Sequence, residues 1–235
     1  MSTTYENRRS QVQAYFDRTA FEAWAKLTSD APLGRIRASV RAGREAMRST
    51  LLDALGANLR GMRILDAGCG TGALAVEMAR RGAEVLAVDL SPQLIDLARR
   101  RAPNNLGEGN ILWVPGDMLD AAFGNFDHVV GMDSLIHYEA QDMALALAAL
   151  APRVRSSLHL TFAPHTPALA MMHLVGRLLP RGNRAPSIVP VAASHLLRRL
   201  QDDDRLSPFA AQAGPRVSRG FYISQLLSLK RQEAA

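Results

Sequence analysis

The stretch "ILDAGCGTGA", Ile64–Ala73, decides the fold. Its first four residues read as the end of a buried strand, and "GALAVEMARRG" reads as a helix closed by Gly82. Gly68, Gly70 and Gly72 occupy the turn between them. Glycines there let the backbone turn sharply and approach a ligand closely. The N-terminus of the following helix favours a negative group. Two coenzyme classes compete for such a turn. Gly68, Gly70 and Ala73 also satisfy the degenerate G-x-G-x-x-G/A dinucleotide pattern, so the glycines alone do not separate the two.

Asp66 bears on the choice. A carboxylate two residues before the first glycine suits a cationic group at the strand end, such as the α-amino group of S-adenosyl-L-methionine, and would repel a pyrophosphate. Asp89 ends the next strand, "EVLAVDLS", 21 residues after Gly68, and can accept from two ribose hydroxyls, with Leu90 beside it. Asp117 follows a third strand, "NILWVPGDM", and can accept from an adenine amino group, with Met118 packed on the ring. Each has a plainer reading: a cap for Asp66, a turn residue for Asp117, a core residue for Met118. Three carboxylates at successive strand ends point to one ligand, because such sheets bind ligands at their carboxyl edge.

Further out, "FDHVVGMD" and "SSLHLTFAP" read as fourth and fifth strands, with a helix over "QDMALALAALAPRV" between them. "PQLIDLARRRA" is a helix with Pro92 in its first turn. Short apolar strands alternating with helices over residues 61–163 imply a parallel sheet covered on both faces. Residues 1–60 read as helices. Val12, Tyr15, Phe16, Phe21, Trp24 and Leu27 have helical spacing, with a break near residues 17–19. In "RIRASVRAGREAMRSTLLDAL" an apolar stripe of Ile36, Val40, Met47 and Leu51 lies beside a stripe of Arg37, Arg41, Arg44 and Arg48. The plainer reading of the arginines is a solvated face; the sharper one is a face for an anionic ligand or a membrane surface. Beyond residue 163, "HTPALAMMHLVGRLLPRGNRAPS" reads as an apolar helix and a Pro/Gly-rich loop, and "ASHLLRRL" as a helix. "RLSPFAAQAG" and "GFYISQLLSLKR" read as two closing strands joined by a long connection. The organisation expected is a helical cap over 1–58 and a coenzyme domain over 59–235, with 165–203 as a substrate-side helical elaboration.

At 235 residues and 48% hydrophobic content the chain can bury a sizeable core, which excludes global disorder. The single cysteine, Cys69, rules out an internal disulfide and fits a reducing cytoplasm. "MSTTYENRRS" has no apolar signal segment, and no run reaches the roughly 18 apolar residues of a membrane span. The net charge of +6 favours anionic partners. Arginines and aromatics do not interleave, so nucleic acid is not indicated. No Cys/His cluster has zinc-site spacing.

"LDAGCGTG", "VLAVDLS" and "GDM", in that order over residues 60–165, resemble the ordered motifs of the class I S-adenosylmethionine-dependent methyltransferases. The resemblance implies an α/β, Rossmann-like, mostly parallel seven-stranded sheet whose last strand is inserted antiparallel. Within that class, "YFDRTAFEAWAK", "DSLIHY", "LTFAP" and "GFYISQLLSL" look like the magnesium-protoporphyrin IX O-methyltransferases of (bacterio)chlorophyll biosynthesis, with residues 165–200 matching least. This narrower resemblance implies methyl transfer to a propionate carboxylate of magnesium protoporphyrin IX, with magnesium present only as part of the substrate. It also implies a partnership with the large porphyrin-binding subunit of magnesium chelatase, and peripheral contact with photosynthetic membranes.

A propionate has a pKa of about 4 to 5 and is ionised at neutral pH, so it needs no general base. Charge is neutralised toward the transition state, so a dry, closable pocket helps. Tyr15, Phe16, Phe21 and Trp24 are candidates for a lid. Met172, in "ALAMMHLVGRLL", is a candidate for an adaptable wall. Arg177, Arg181 and Arg184 could hold the propionate that does not react. His165, His173 and His195 could approach the magnesium, although lone histidines are more often structural. In "MDSLIHYEA", Met132–Ala140, His137 is cast as a positioning donor to the propionate or a contact to the macrocycle, or else as an ordinary histidine at a helix start. Tyr15 joins it at the reacting centre, and Tyr138 is assigned with Trp24, Met172 and Arg177 to the substrate. A phenol substrate would instead require His137 as a base. A methyltransferase of another small acid or phenol, and a non-catalytic S-adenosylmethionine- or porphyrin-binding protein, are the competing readings.

Overall fold

The computed structural model describes residues 3–15, 24–25, 27–28, 34–166 and 187–232. Seven strands form one sheet: β1 (Arg63–Ala67), β2 (Glu84–Asp89), β3 (Asn110–Pro115), β4 (Phe126–Gly131), β5 (Val154–Phe162), β6 (Phe209–Arg219) and β7 (Tyr222–Arg231). Their order is β3-β2-β1-β4-β5-β7-β6. β1 to β5 run parallel, and β7 is antiparallel to both β5 and β6. The antiparallel insertion is thus present. The long connection expected between the closing strands is not: β6 and β7 are joined by Gly220 and Phe221 alone. The first closing strand, expected over "RLSPFAAQAG", instead runs on through Pro215 to Arg219, with a register shift between Ala213 and Arg216. β6 is the sheet edge, where a proline costs no ladder bond and a bulge absorbs the misfit.

Strands of this kind are apolar on both faces because both are covered. Leu65 and Ala67 of β1 enter one core, with Phe126, Leu158 and Leu160, while Ile64 enters the other, with Leu51, Met78 and Val85. Among the described residues six α-helices accompany the sheet: α1 (Thr3–Tyr15), α2 (Arg35–Leu55), α3 (Ala73–Arg80), α4 (Pro92–Arg101), α5 (Ala140–Leu150) and α6 (Ala193–Gln201). Ser91 caps α4 by accepting from the Leu94 amide, with Pro92 in the first turn and three arginines in the last. Thr4 of α1 donates to the buried Asp142 of α5 at 2.9 Å, tying the N-terminal helix to the sheet's cover. The apolar stripe expected on α2 is buried only in part. Met47 and Leu51 are fully buried, but Ile36 is 58% exposed. The helix packs on β6 and β7, and its first turns reach past that cover. The apolar helix expected after residue 166 lies outside the described residues, as do Phe16 and Phe21; "ASHLLRRL" forms α6 as expected.

A polar chain crosses the sheet at the end away from the glycine turn. His128 Nδ1 lies 2.7 Å from Ser157 Oγ, which lies 2.9 Å from His159 Nε2, and His159 Nδ1 is 3.0 Å from Ser228 Oγ. His159 is 1% exposed, and burial, then the charges of His128 and Lys230, push it down to about 4. Between about pH 4 and 6.5 the unfolded chain therefore binds the proton and the folded one does not. Stability is complete above the upper limit and falls as pH drops, by about 3 kcal/mol in all. Urea unfolding of His159→Gln should show this loss removed; a pH slope equal to the wild type's would refute it.

Candidate active site

A cavity of about 560 Å³ opens at the carboxyl edge of the sheet, where the strand order reverses between β1 and β4. The glycine turn is its floor. The amides of Gly68 and Cys69 both donate to Val88 O, at 2.9 and 3.0 Å, binding the turn to β2. Gly68 has φ +79, and a Cβ there would lie 2.5 Å from Ser134 Cβ; Gly72 has φ +80, and a Cβ there would lie 2.4 Å from Trp113. Both positions exclude a side chain by conformation and by space.

The three carboxylates converge on this floor, each in a different state. Asp66 is 1% exposed and its Oδ2 has no hydrogen-bond partner among the described residues. Burial first, then the charge of Asp89, pushes its carboxyl up to about 7, opposed by a bond from the Ala75 amide. A buried carboxylate oxygen left without a donor is costly, and it fits an ammonium group. Asp89 is fixed from both sides, by the Gly70 amide on Oδ2 at 2.8 Å and the Ser91 amide on Oδ1 at 2.9 Å. Leu90 lines the cavity next to it, and the nearly buried Met118 lines it beside Asp117. Asp117 is not idle: Arg9 of α1 donates to its Oδ2 at 2.6 Å, and the Tyr5 hydroxyl bonds to it as well. Cys69 also lies here, its thiol pushed well up by burial and by the charges of Asp89 and Asp66, so it stays protonated.

The N-terminal segment covers this floor. Tyr15 lines the cavity, its phenol pushed up by burial and so a donor rather than a base at neutral pH. Trp24 lies against the glycine turn, its Nε1 3.4 Å from where a Gly70 Cβ would stand. Three arginines hold the Trp24 stretch. Arg44 stacks on the indole at 4.5 Å, Arg41 donates to Leu27 O at 3.1 Å, and Arg101 donates to Ala25 O at 2.9 Å.

The arginine stripe of α2 is more than a solvated face. Arg37, Arg41, Arg44 and Arg48 all line the cavity. Spacing of 4-3-4 shows that they share a face; the packing of α2 on β6 and β7 decides that the face looks inward. Arg44 is paired with Asp133, just past β4. Asp133 has φ +60 and accepts from Tyr222 at 3.0 Å and Thr161 at 3.3 Å, while its own amide donates to Thr161 Oγ1 at 2.8 Å. Asp133, Arg9 and Tyr5 were not among the residues singled out from sequence. The signal for Asp133 was its place in "GMDS", at the same sheet edge as the other carboxylates.

His137 is 7% exposed and lines the cavity, with Nδ1 3.3 Å from Ser187 O. It stands two residues before Glu139, the N-cap of α5, which begins at Ala140. Tyr138 is buried and stacks on Tyr5 at 5.0 Å, on the Asp117 side of the cavity. Residues 187–191 run back along the cavity as an extended segment, with Val189 N donating to Ile136 O at 2.8 Å and Val191 N to Ala163 O at 2.8 Å. Met172, Arg177, Arg181, Arg184 and His173 lie outside the described residues. His165 and His195 are exposed and are not among the described residues that line the cavity. Among the described residues no group of three or more His, Cys, Asp or Glu could hold a metal ion.

The cavity thus offers both a vacant carboxylate oxygen and a row of arginines. Comparison with known proteins fits this arrangement. The family model "Magnesium-protoporphyrin IX methyltransferase C-terminus" matches residues 131–231, and a general "Methyltransferase domain" model matches residues 64–157. The magnesium-protoporphyrin O-methyltransferase of Rhodobacter capsulatus is 46% identical over 98% of this chain and 100% of its own length. That of Synechocystis is 30% identical over 94% and 95%, respectively. The crystal structure of magnesium protoporphyrin IX methyltransferase from Synechocystis with bound SAH matches with a TM-score of 0.82 and 28% identity, covering 96% of this chain and 100% of that one.

Proposed function

The chain belongs to the magnesium-protoporphyrin IX methyltransferase family, and from that premise we propose that it transfers a methyl group from S-adenosylmethionine to a propionate carboxylate of magnesium protoporphyrin IX. The products are the monomethyl ester and S-adenosylhomocysteine. The observation that carries this reading is the pairing of two features in this cavity. An unpartnered buried carboxylate oxygen suits the cationic donor, and an arginine wall suits an acidic acceptor.

S-adenosylmethionine supplies an electrophilic methyl group on a sulfonium. In the proposed site Asp66 takes the α-ammonium and Gly68, Gly70 and Gly72 leave room for the chain. Asp89, held rigid by two amides, accepts from the ribose hydroxyls beside Leu90. Asp117 is oriented toward the adenine by Arg9 and Tyr5, with Met118 beneath the ring. Trp24 and Tyr15 close the cavity and exclude water, which favours a reaction that neutralises charge. His137 positions the reacting propionate by hydrogen bonding. It need not remove a proton, because the acid is already ionised. Residues 1–58 act as the cap, and 165–203, including Met172 and Arg177, complete the substrate side. The large porphyrin-binding subunit of magnesium chelatase is the proposed supplier of substrate. Contact with photosynthetic membranes is peripheral in this reading, and no helix among the described residues is long and apolar enough to cross one.

The test is to incubate the protein with S-adenosylmethionine and either magnesium protoporphyrin IX or the metal-free macrocycle, and to assay for monomethyl ester. Ester from the magnesium form is expected; no ester from either refutes the reading. His137→Ala should lower kcat about tenfold or more by losing alignment, with S-adenosylmethionine affinity within about twofold of wild type. A fully active variant would remove His137 from the reacting centre.

A further inference from the structure

The four arginines of the α2 stripe are not equivalent. Arg44 is neutralised by Asp133 and committed to Trp24, and Arg48 is paired with Glu45 one turn away. Arg41 is tied through its Nε to the Leu27 carbonyl. Arg37 is exposed, lines the same cavity, and makes no hydrogen bond or ion pair with any described residue. It also stands where its charge is least welcome. The first turn of α2 contains no acidic residue, and its N-cap, Gly34, supplies no side-chain bond. A cation in a first turn opposes the helix dipole. A carboxylate bound against Arg37 would relieve both defects.

The chemistry of the acceptor says which carboxylate this can be. Its two propionates leave the same edge of the macrocycle. The reacting one must keep its electron density, so a tight ion pair to it would slow transfer. The other takes no part in bond making and can be held by a guanidinium at no cost to reactivity. Resting on the function proposed above, we infer that Arg37 binds the carboxylate that is not methylated, and so makes the enzyme select a dicarboxylic acceptor and stop after one methyl transfer. Once one arm is an ester, the remaining acid can lie at the methyl donor only if the uncharged ester faces Arg37. The first product is therefore a poor second substrate.

The experiment compares wild type, Arg37→Gln and Arg37→Lys in steady-state methylation of magnesium protoporphyrin IX and, separately, of its monomethyl ester. Wild type should prefer the diacid. Arg37→Gln should raise KM for the diacid about tenfold and narrow the preference over the monoester by a similar factor, as expected for loss of one charge-assisted contact. Its S-adenosylmethionine dissociation constant should match wild type, and its thermal midpoint should not fall, since the charge removed opposes the helix dipole. Arg37→Lys should restore most of the diacid preference, because it restores the charge without the planar fork. Unchanged KM and unchanged preference in Arg37→Gln would overturn the inference while leaving the function intact. Wild type that esterifies neither compound would overturn the function instead.

Discussion

Asp66→Asn will weaken S-adenosylmethionine binding about a hundredfold, the loss expected for one charge-assisted bond in a buried site, and will stabilise the free protein. Both effects come from one vacant oxygen. In the free protein the carboxyl titrates at about 7, raised by burial and by Asp89, against an ordinary value of 3.8. The folded chain therefore holds a proton that the unfolded chain has released. That contribution to stability is complete below about pH 4 and is lost as pH rises through about 7, a cost of about 4 kcal/mol. Asparagine has no charge to desolvate and should not show this loss. Urea unfolding of the ligand-free variant at pH 5 and pH 8 measures it; an equal fall in both proteins would contradict the argument. Binding carries the opposite pH dependence. Below about pH 7 wild type must give up the Asp66 proton to pair with an ammonium, so affinity should drop up to tenfold per unit as pH falls. Calorimetric titration of Asp66→Asn should show no such slope. The His159 window overlaps this one with the opposite sign, and each variant removes only its own contribution.

The second large effect is expected at Asp133. Its side chain is 6% exposed and that of Arg44 is 15% exposed, so Asp133→Ala strands a largely buried guanidinium and leaves Tyr222 and Thr161 without their shared acceptor. Breaking a buried pair by removing one partner costs about 3–5 kcal/mol. For a chain of this size that lowers the thermal midpoint by roughly 10 °C. Asp133→Asn should cost less, since asparagine tolerates the positive φ and keeps an acceptor. The double variant Asp133→Ala/Arg44→Met should recover much of the loss, because neither charge is then buried. A double variant as unstable as the single one would locate the cost in the hydroxyl network instead. Arg44 also carries the stack on Trp24, so the single variant should loosen the cover of the cavity.

The sheet and the coenzyme floor were largely legible in the sequence. Strands covered on both faces read as short apolar runs, and "LDAGCGTG", Asp89 and Asp117 stand at their ends whatever the details of packing. What escaped depends on relations between elements. Periodicity showed that Arg37, Arg41, Arg44 and Arg48 share a face of α2, but not that the face looks into the cavity. It also could not show that Ile36 is left outside while Met47 is buried. The strand pattern ending at Gly214 did not show that β6 continues through Pro215, because a proline is tolerated on an edge and edge status belongs to the sheet. The Asp133 cluster joins α2, β5 and β7 at one point, and no local pattern announces it. The position of Asp66 was legible; the vacancy at its Oδ2 was not.

The place of β7 bears on how the protein is made. The last strand of the sheet in chain order lies inside it, between β5 and β6. While the chain is being synthesised, β5 has an open flank that only the final strand can close. A ribosome-bound chain made as far as β5 therefore presents an unpaired apolar edge, a template for pairing with other chains. Losing β7 would not trim the sheet's border but remove an inner member and detach β6 with it. Completion of the sheet therefore waits for β7, and chaperone demand should be set by the dwell time of the β5 edge rather than by the stability of the finished fold.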